Sequence, residues 1–221
     1  MKKKLILIII FSIAMAYLES AVVVYLREVY DIKILIKDIP KEPDELTLIE
    51  LGREAATLVM LVFIGLIAGS EMKDKVAYFL ISFGVWDIFY YFWLKIFINW
   101  PVSLTEWDLL FLIPLPWWGP VITPILISAL MIFTGYLFLQ KSKLNISRVN
   151  IPLLLLGILI ILFSFMENGI LLLSSGKMIN EVPENFNWLL FLSGFCLMLY
   201  ALVSMAVPVF GPGVDTDKKQ K

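Results

Sequence analysis

An all-α, polytopic transmembrane helical bundle of about six spans is the fold class this sequence predicts, and three observations predict it. Of its 221 residues, 60% are hydrophobic and 17% charged, far from the roughly half-apolar, quarter-charged make-up of soluble domains, and the mean hydropathy is +0.89. Apolar stretches long enough to cross about 30 Å of hydrocarbon recur along the chain. Basic residues gather in alternate connecting segments, as they do in polytopic membrane proteins.

Six windows meet the length requirement: 5–26, 46–69, 76–98, 120–140, 151–173 and 187–209. Residues 1–210 therefore read as a single transmembrane domain, and 211–221 as a disordered cytoplasmic tail. About eleven basic residues fall on one side of the membrane and about six on the other. The positive-inside rule then puts both termini in the cytoplasm of a bacterial or archaeal plasma membrane. Lys2, Lys3 and Lys4, the apolar run Leu5 to Ile13 and then Ala14-Met15-Ala16 also have the three parts of a signal peptide. The apolar run resumes at Ala21 to Leu26, however, and a full span needs all of 5–26, so an uncleaved helix is expected.

The second window is the most informative. From Ala55 to Ala68 the uncharged stretch reaches only about 21 Å at 1.5 Å per residue, so Glu50, Arg53 and Glu54 must dip into the membrane. They stand at i, i+3 and i+4 and share a helical face, on which Glu50 can pair with Arg53. By the same count Glu19 lies about 21 Å up the first helix, Asp87 about 16 Å up the third, and Glu167 with Asn168 about 24 Å up the fifth. Asp87, Tyr91 and Lys95 are each one turn apart, a stripe able to hydrogen-bond along its length. Arg27 and Asp108 are placed around the mouth.

Between the third and fourth windows, residues 107–120 are apolar yet contain Pro114, Pro116 and Pro120. Proline removes backbone donors, so this stretch is expected to be an interfacial or re-entrant segment capping the outer side of the bundle. Trp93, Trp100, Trp107, Trp117, Trp118 and Trp188 fall at or beyond the outer ends of spans, as an interfacial belt would. The heptad spacing of Trp86, Trp93 and Trp100 extends to Trp107 only across Pro101, which interrupts any helix. Gly52, Ala55, Ala56 and Gly169 suit close helix approach. The segment from Glu28 to Glu45 is expected to cover the mouth, and Asn145-Ile146-Ser147 matches a glycosylation acceptor but falls in a cytoplasmic loop.

Composition also excludes functions. There is no histidine, which removes Ser-His-Asp and Cys-His catalysis, HExxH zinc sites and bis-His haem. The lone cysteine, Cys196, rules out an intrachain disulfide or a CxxC pair and reads as a small buried packing residue. A net charge of -1 and the lack of any Walker A or GxGxxG pattern give no support for nucleic acid or nucleotide. No metal site and no cofactor is implied, and no repeat links the two halves of the chain.

Function is then read from the intramembrane charges. Glu19, Glu50, Glu54, Asp87 and Glu167 outnumber Arg53, with Arg27 and Lys95 as rim partners, so some carboxylates must be protonated, hydrated or matched by a cation. This suggests an outward-opening polar pocket built from helices one, two, three and five. Pocket candidates are Glu19, Glu50, Arg53, Glu54, Asp87, Tyr91, Glu167 and Asn168; rim candidates are Arg27, Lys95, Asp108, Trp117 and Trp118. Binding or transport of a cation, proton or small polar solute follows by default for such residues. The alternatives are a subunit or assembly factor contacting a membrane-protein partner through these charges, and an enzyme acting on a lipid or isoprenoid with Arg53 holding an anionic group.

Overall fold

The computed structural model describes residues 2–29, 45–111, 116–141, 143–174 and 185–206. Among them are six helices, α1 (Lys2–Val29), α2 (Glu45–Ala68), α3 (Met72–Ile98), α4 (Ile122–Gln140), α5 (Asn150–Ser174) and α6 (Trp188–Ala206), and two short strands, β1 (Trp107–Phe111) and β2 (Trp117–Pro120). All six helices are long and apolar enough to cross a membrane, so the protein is a six-span integral membrane protein in contact with the lipid bilayer. The expected mouth-covering loop, apart from its ends, the tail and Pro114 lie outside the described residues.

Local chemistry sets the helix ends. Asn99 closes α3 in the left-handed conformation, φ 55°, donating its N–H back to the Lys95 carbonyl, and the Lys95 ammonium covers the Pro101 carbonyl at 2.9 Å. A positive-φ residue followed by proline and a cation is how helices commonly stop. At the start of α5 the Ser147 hydroxyl accepts the Asn150 N–H at 3.2 Å. At the start of α6 the Asn187 side chain accepts the Leu190 N–H at 3.1 Å. Both satisfy donors that a helix N-terminus would otherwise strand.

Helix α3 is the hub, packing against α1, α2 and α4; α5 packs against α6, and α4 touches α6. Helices α1 and α3 run parallel in constant register, for Ser12 meets Ser82 at 3.0 Å and the Ser20 hydroxyl donates to the Tyr90 carbonyl at 2.9 Å, each pair seventy residues apart. Small hydroxyl residues let helices approach closely and add hydrogen bonds across the seam. The other two main seams are antiparallel glycine crossings. A Cβ on Gly84 would meet the Ser128 carbonyl at 2.5 Å across α3–α4, and one on Gly194 would meet the Gly157 carbonyl at 2.8 Å across α5–α6.

Gly52 is not such a point: among the described residues nothing lies within 4 Å of where its Cβ would be, and Ala55 and Ala56 are exposed. Gly169 does allow close approach, but to the Pro116 carbonyl rather than to a helix. Cys196 corrects the reading of a buried residue, since it is exposed on α6. That helix is apolar all round, so its sequence gives no sign of which face turns to lipid.

One end of the bundle is lysine-rich. There the Lys4 ammonium reaches the Ala68 carbonyl at 3.0 Å, Lys73 reaches that of Phe138 at 3.2 Å, and the Asn145 N–H bonds that of Met205 at 2.8 Å. The start of α1 and the end of α6 therefore share this end.

At the opposite, far end the proline-rich segment forms an antiparallel hairpin rather than irregular chain. Trp107 pairs with Pro120, Asp108 with Gly119 and Leu109 with Trp118, and a bulge falls between Leu109 and Phe111. The prolines fit because Pro116 precedes β2 and Pro120 ends it, positions where a missing N–H does little harm to a ladder. Trp118 is fully buried, and the Trp117 ring stacks on Phe165 at 6.5 Å. The hairpin is thus a plug against α4 and α5, and Trp118 belongs to the protein interior instead of an interfacial belt. Trp188, 40% exposed, does suit the belt.

Candidate functional site

Arg53 gathers the carboxylates. From one face of α2 its Nε donates to the Glu50 carboxylate at 2.8 Å, its Nη2 pairs with the other Glu50 oxygen, and its Nη1 pairs with Glu19 of α1. The i, i+3 spacing makes the first pairing local. The planar guanidinium fork makes the second possible, because it can serve two carboxylates at once. Thr57, a further turn along the same face, donates its hydroxyl to the second Glu19 oxygen at 3.0 Å. These side chains are mostly buried: Arg53 is 20% exposed, Glu19 11% and Glu50 16%. Glu54 is buried beside them, within electrostatic reach of Glu50 and Arg53.

A groove of about 310 Å³ opens next to this triad. It exists because α1 and α2 each pack on α3 without comparable packing on one another. Glu19, Arg53 and Thr57 form its polar part near the far end, where Val22 lies a turn beyond Glu19, while Phe11, Met15, Leu18, Ala56 and Met60 are among the apolar residues along the rest of its length. Leu18, Ala56 and Met60 are exposed, so the groove faces sideways, towards the bilayer. Chain direction fixes its polarity. Residues before Glu19 on α1 and after Arg53 on α2 both lead towards the lysine-rich end, so the apolar part runs about 12 Å from the polar end towards the bilayer midplane.

Two more polar clusters lie on α3. The Asp87 carboxylate accepts the Ser128 hydroxyl of α4 at 2.8 Å. The Tyr91 hydroxyl donates to Asp108 of the hairpin at 2.8 Å, and Asp108 is only 3% exposed. Burial pushes the Asp108 carboxyl above its ordinary range; the Tyr91 hydrogen bond, the Arg27 charge and the Leu109 N–H each oppose the shift. Arg27 covers the Trp100 ring at 4.6 Å, a cation–π contact. Tyr90 lies within electrostatic reach of Arg27, Arg53, Glu50 and Asp108, and so stands between the triad and the hairpin cluster.

The sequence-predicted residues therefore divide. Glu19, Glu50, Arg53 and Glu54 come together. Asp87, Tyr91 and Lys95 do not bond along their stripe: each turns to a different partner, Ser128, Asp108 and the Pro101 carbonyl. No described residue of α5 lines the groove; Glu167 accepts the Asn187 amide at 3.1 Å near the start of α6, and the half-buried Asn168 lies beside it. At the rim, Arg27 and Asp108 share one cluster, whereas Trp117 and Trp118 belong to the hairpin plug.

Sequence reasoning passed over Thr57, Tyr90 and Ser128. The signal for Thr57 was present, because it stands at i+4 from Arg53 and extends the same face. Ser128 could not be found that way, since its partner lies forty-one residues earlier on another helix. Among the described residues, no group of three or more Asp, Glu, Cys or His side chains could hold a metal ion. No family model, curated protein or solved structure matches this chain, so its functional reading rests on this geometry.

Proposed function

We propose that the protein binds an amphipathic lipid-type molecule side-on in the groove between α1 and α2, with the ligand's polar head at Glu19 and Arg53. The observation that carries this is the groove's polarity: a charged end towards the far face, then an apolar channel leading to the midplane and open to lipid. A lipid of the far leaflet has its head and chain in that order. The positive-inside rule makes the lysine-rich end cytoplasmic, so the ligand would come from the outer leaflet. At about 310 Å³ the groove sits at the lower end of the roughly 300–1,000 Å³ of small-molecule sites, a size for part of an alkyl chain and its head.

A bare cation or small polar solute, which the carboxylate excess suggests, fits this lining less well, because apolar side chains supply most of the walls. Transport and catalysis each need a further step that the groove alone does not supply.

Groove filling tests the proposal. Ala56 lines the groove, whereas its exposed neighbour Ala55 does not. Native mass spectrometry of protein released from lipid nanodiscs should find a retained lipid on wild type and on Ala55→Phe, and much less on Ala56→Phe. Equal retention by all three would overturn the reading.

A further inference from the structure

Resting on the amphiphile reading above, we infer that the groove selects a head group bearing an ammonium donor, held by Glu19. Arg53 carries one positive charge and is paired with two carboxylates, Glu19 and Glu50. One guanidinium offsets one of them, and the second needs a proton or another cation. Three of the five N–H donors of Arg53 face Glu50 and Glu19, so the asymmetry of the site is one of charge. Glu19 has about four lone-pair sites, of which Arg53 and the Thr57 hydroxyl take one on each oxygen.

Of the two carboxylates only Glu19 lines the groove. What the polar end offers a ligand is therefore acceptor capacity with negative charge. An ammonium on an alkyl chain satisfies both, donating to Glu19 while its chain lies along Met15, Leu18 and Met60. An anionic head would share Arg53 with Glu19 and Glu50 and sit beside their like charge. A free cation would meet Glu19 but leave the apolar channel without an occupant.

The test uses three photoreactive twelve-carbon probes, identical except for an ammonium, hydroxyl or sulfonate head, with the full chain in phosphatidylcholine nanodiscs. Adducts on the groove segments Ala14–Val22 and Ala56–Met60 are divided by adducts on the exposed face of α6 at Leu189 and Leu192, which corrects for unequal partitioning. The ammonium probe should exceed the sulfonate by about tenfold in this ratio, the size of one charge-assisted hydrogen bond. Glu19→Gln should bring the ammonium ratio down to that of the hydroxyl probe measured on the same variant. Equal ratios for the three heads, or a sulfonate excess, would overturn the head-group inference while the groove reading stands. No groove enrichment with any probe would overturn the groove reading itself.

Discussion

Replacing Arg53 with alanine leaves Glu19 and Glu50 facing each other without their shared cation. Breaking a buried ion pair by removing one partner costs about 3–5 kcal/mol. Here the loss has a ceiling, because a stranded carboxylate can take up a proton. Starting from an ordinary glutamate value, this costs about 3.7 kcal/mol at pH 7 and about 1 kcal/mol at pH 5. The partners retain 11–20% exposure, which puts the expected loss at the low end, about 3 kcal/mol at pH 7, falling to about 1 kcal/mol at pH 5. Reversible unfolding in mixed detergent micelles, followed by tryptophan fluorescence at both pH values, measures it. The variant Arg53→Met with Glu19→Gln, Glu50→Gln and Glu54→Gln should recover most of the loss, since replacing a whole buried network is far cheaper than stranding part of it. An Arg53→Ala protein within about 0.5 kcal/mol of wild type, the usual range of an inconsequential surface change, or a loss independent of pH, would refute the reasoning.

Two further outcomes follow from the packing and the hairpin. Because Asp108 has a raised value in the folded protein, its contribution to stability is fully present below its unfolded value near 3.8 and is lost as pH rises through the folded one. Asp108→Asn keeps an acceptor for Tyr91 but cannot ionise, so pH-dependent unfolding should show wild type gaining stability on acidification above pH 4 relative to the variant; parallel curves would contradict this. Gly194→Val puts a methyl-bearing carbon where a Cβ lies 2.8 Å from the Gly157 carbonyl, and should cost about 1–3 kcal/mol by forcing α5 and α6 apart. Unchanged unfolding of that variant would mean that the crossing is looser than described.

The helices were legible because each apolar run is long and its boundaries carry charge or proline. Their mutual packing was not, since α5 and α6 are apolar nearly all round and reveal no preferred face, which is also why Cys196 was read as buried. The Glu50–Arg53 pairing was legible from i, i+3 spacing on one helix. The choice of Glu19 as the second partner, and of Asn187 for Glu167, depends on which helices meet, and periodicity carries no such information. The prolines of residues 107–120 rule out a spanning helix but do not point to a strand pair; only the register shows that Pro116 and Pro120 fall at the margins of β2. The groove itself arises from weak packing between α1 and α2, a property of the assembly that neither helix expresses alone.

The most direct measurement of the central claim is an experimental density map of the protein in a lipid environment. The account predicts elongated non-protein density between α1 and α2, running along Met15, Leu18, Ala56 and Met60 and ending in a head at Glu19 and Arg53. Direct packing of α1 against α2 that closes the groove, or a chain lying there with its head at the lysine-rich end, would contradict it.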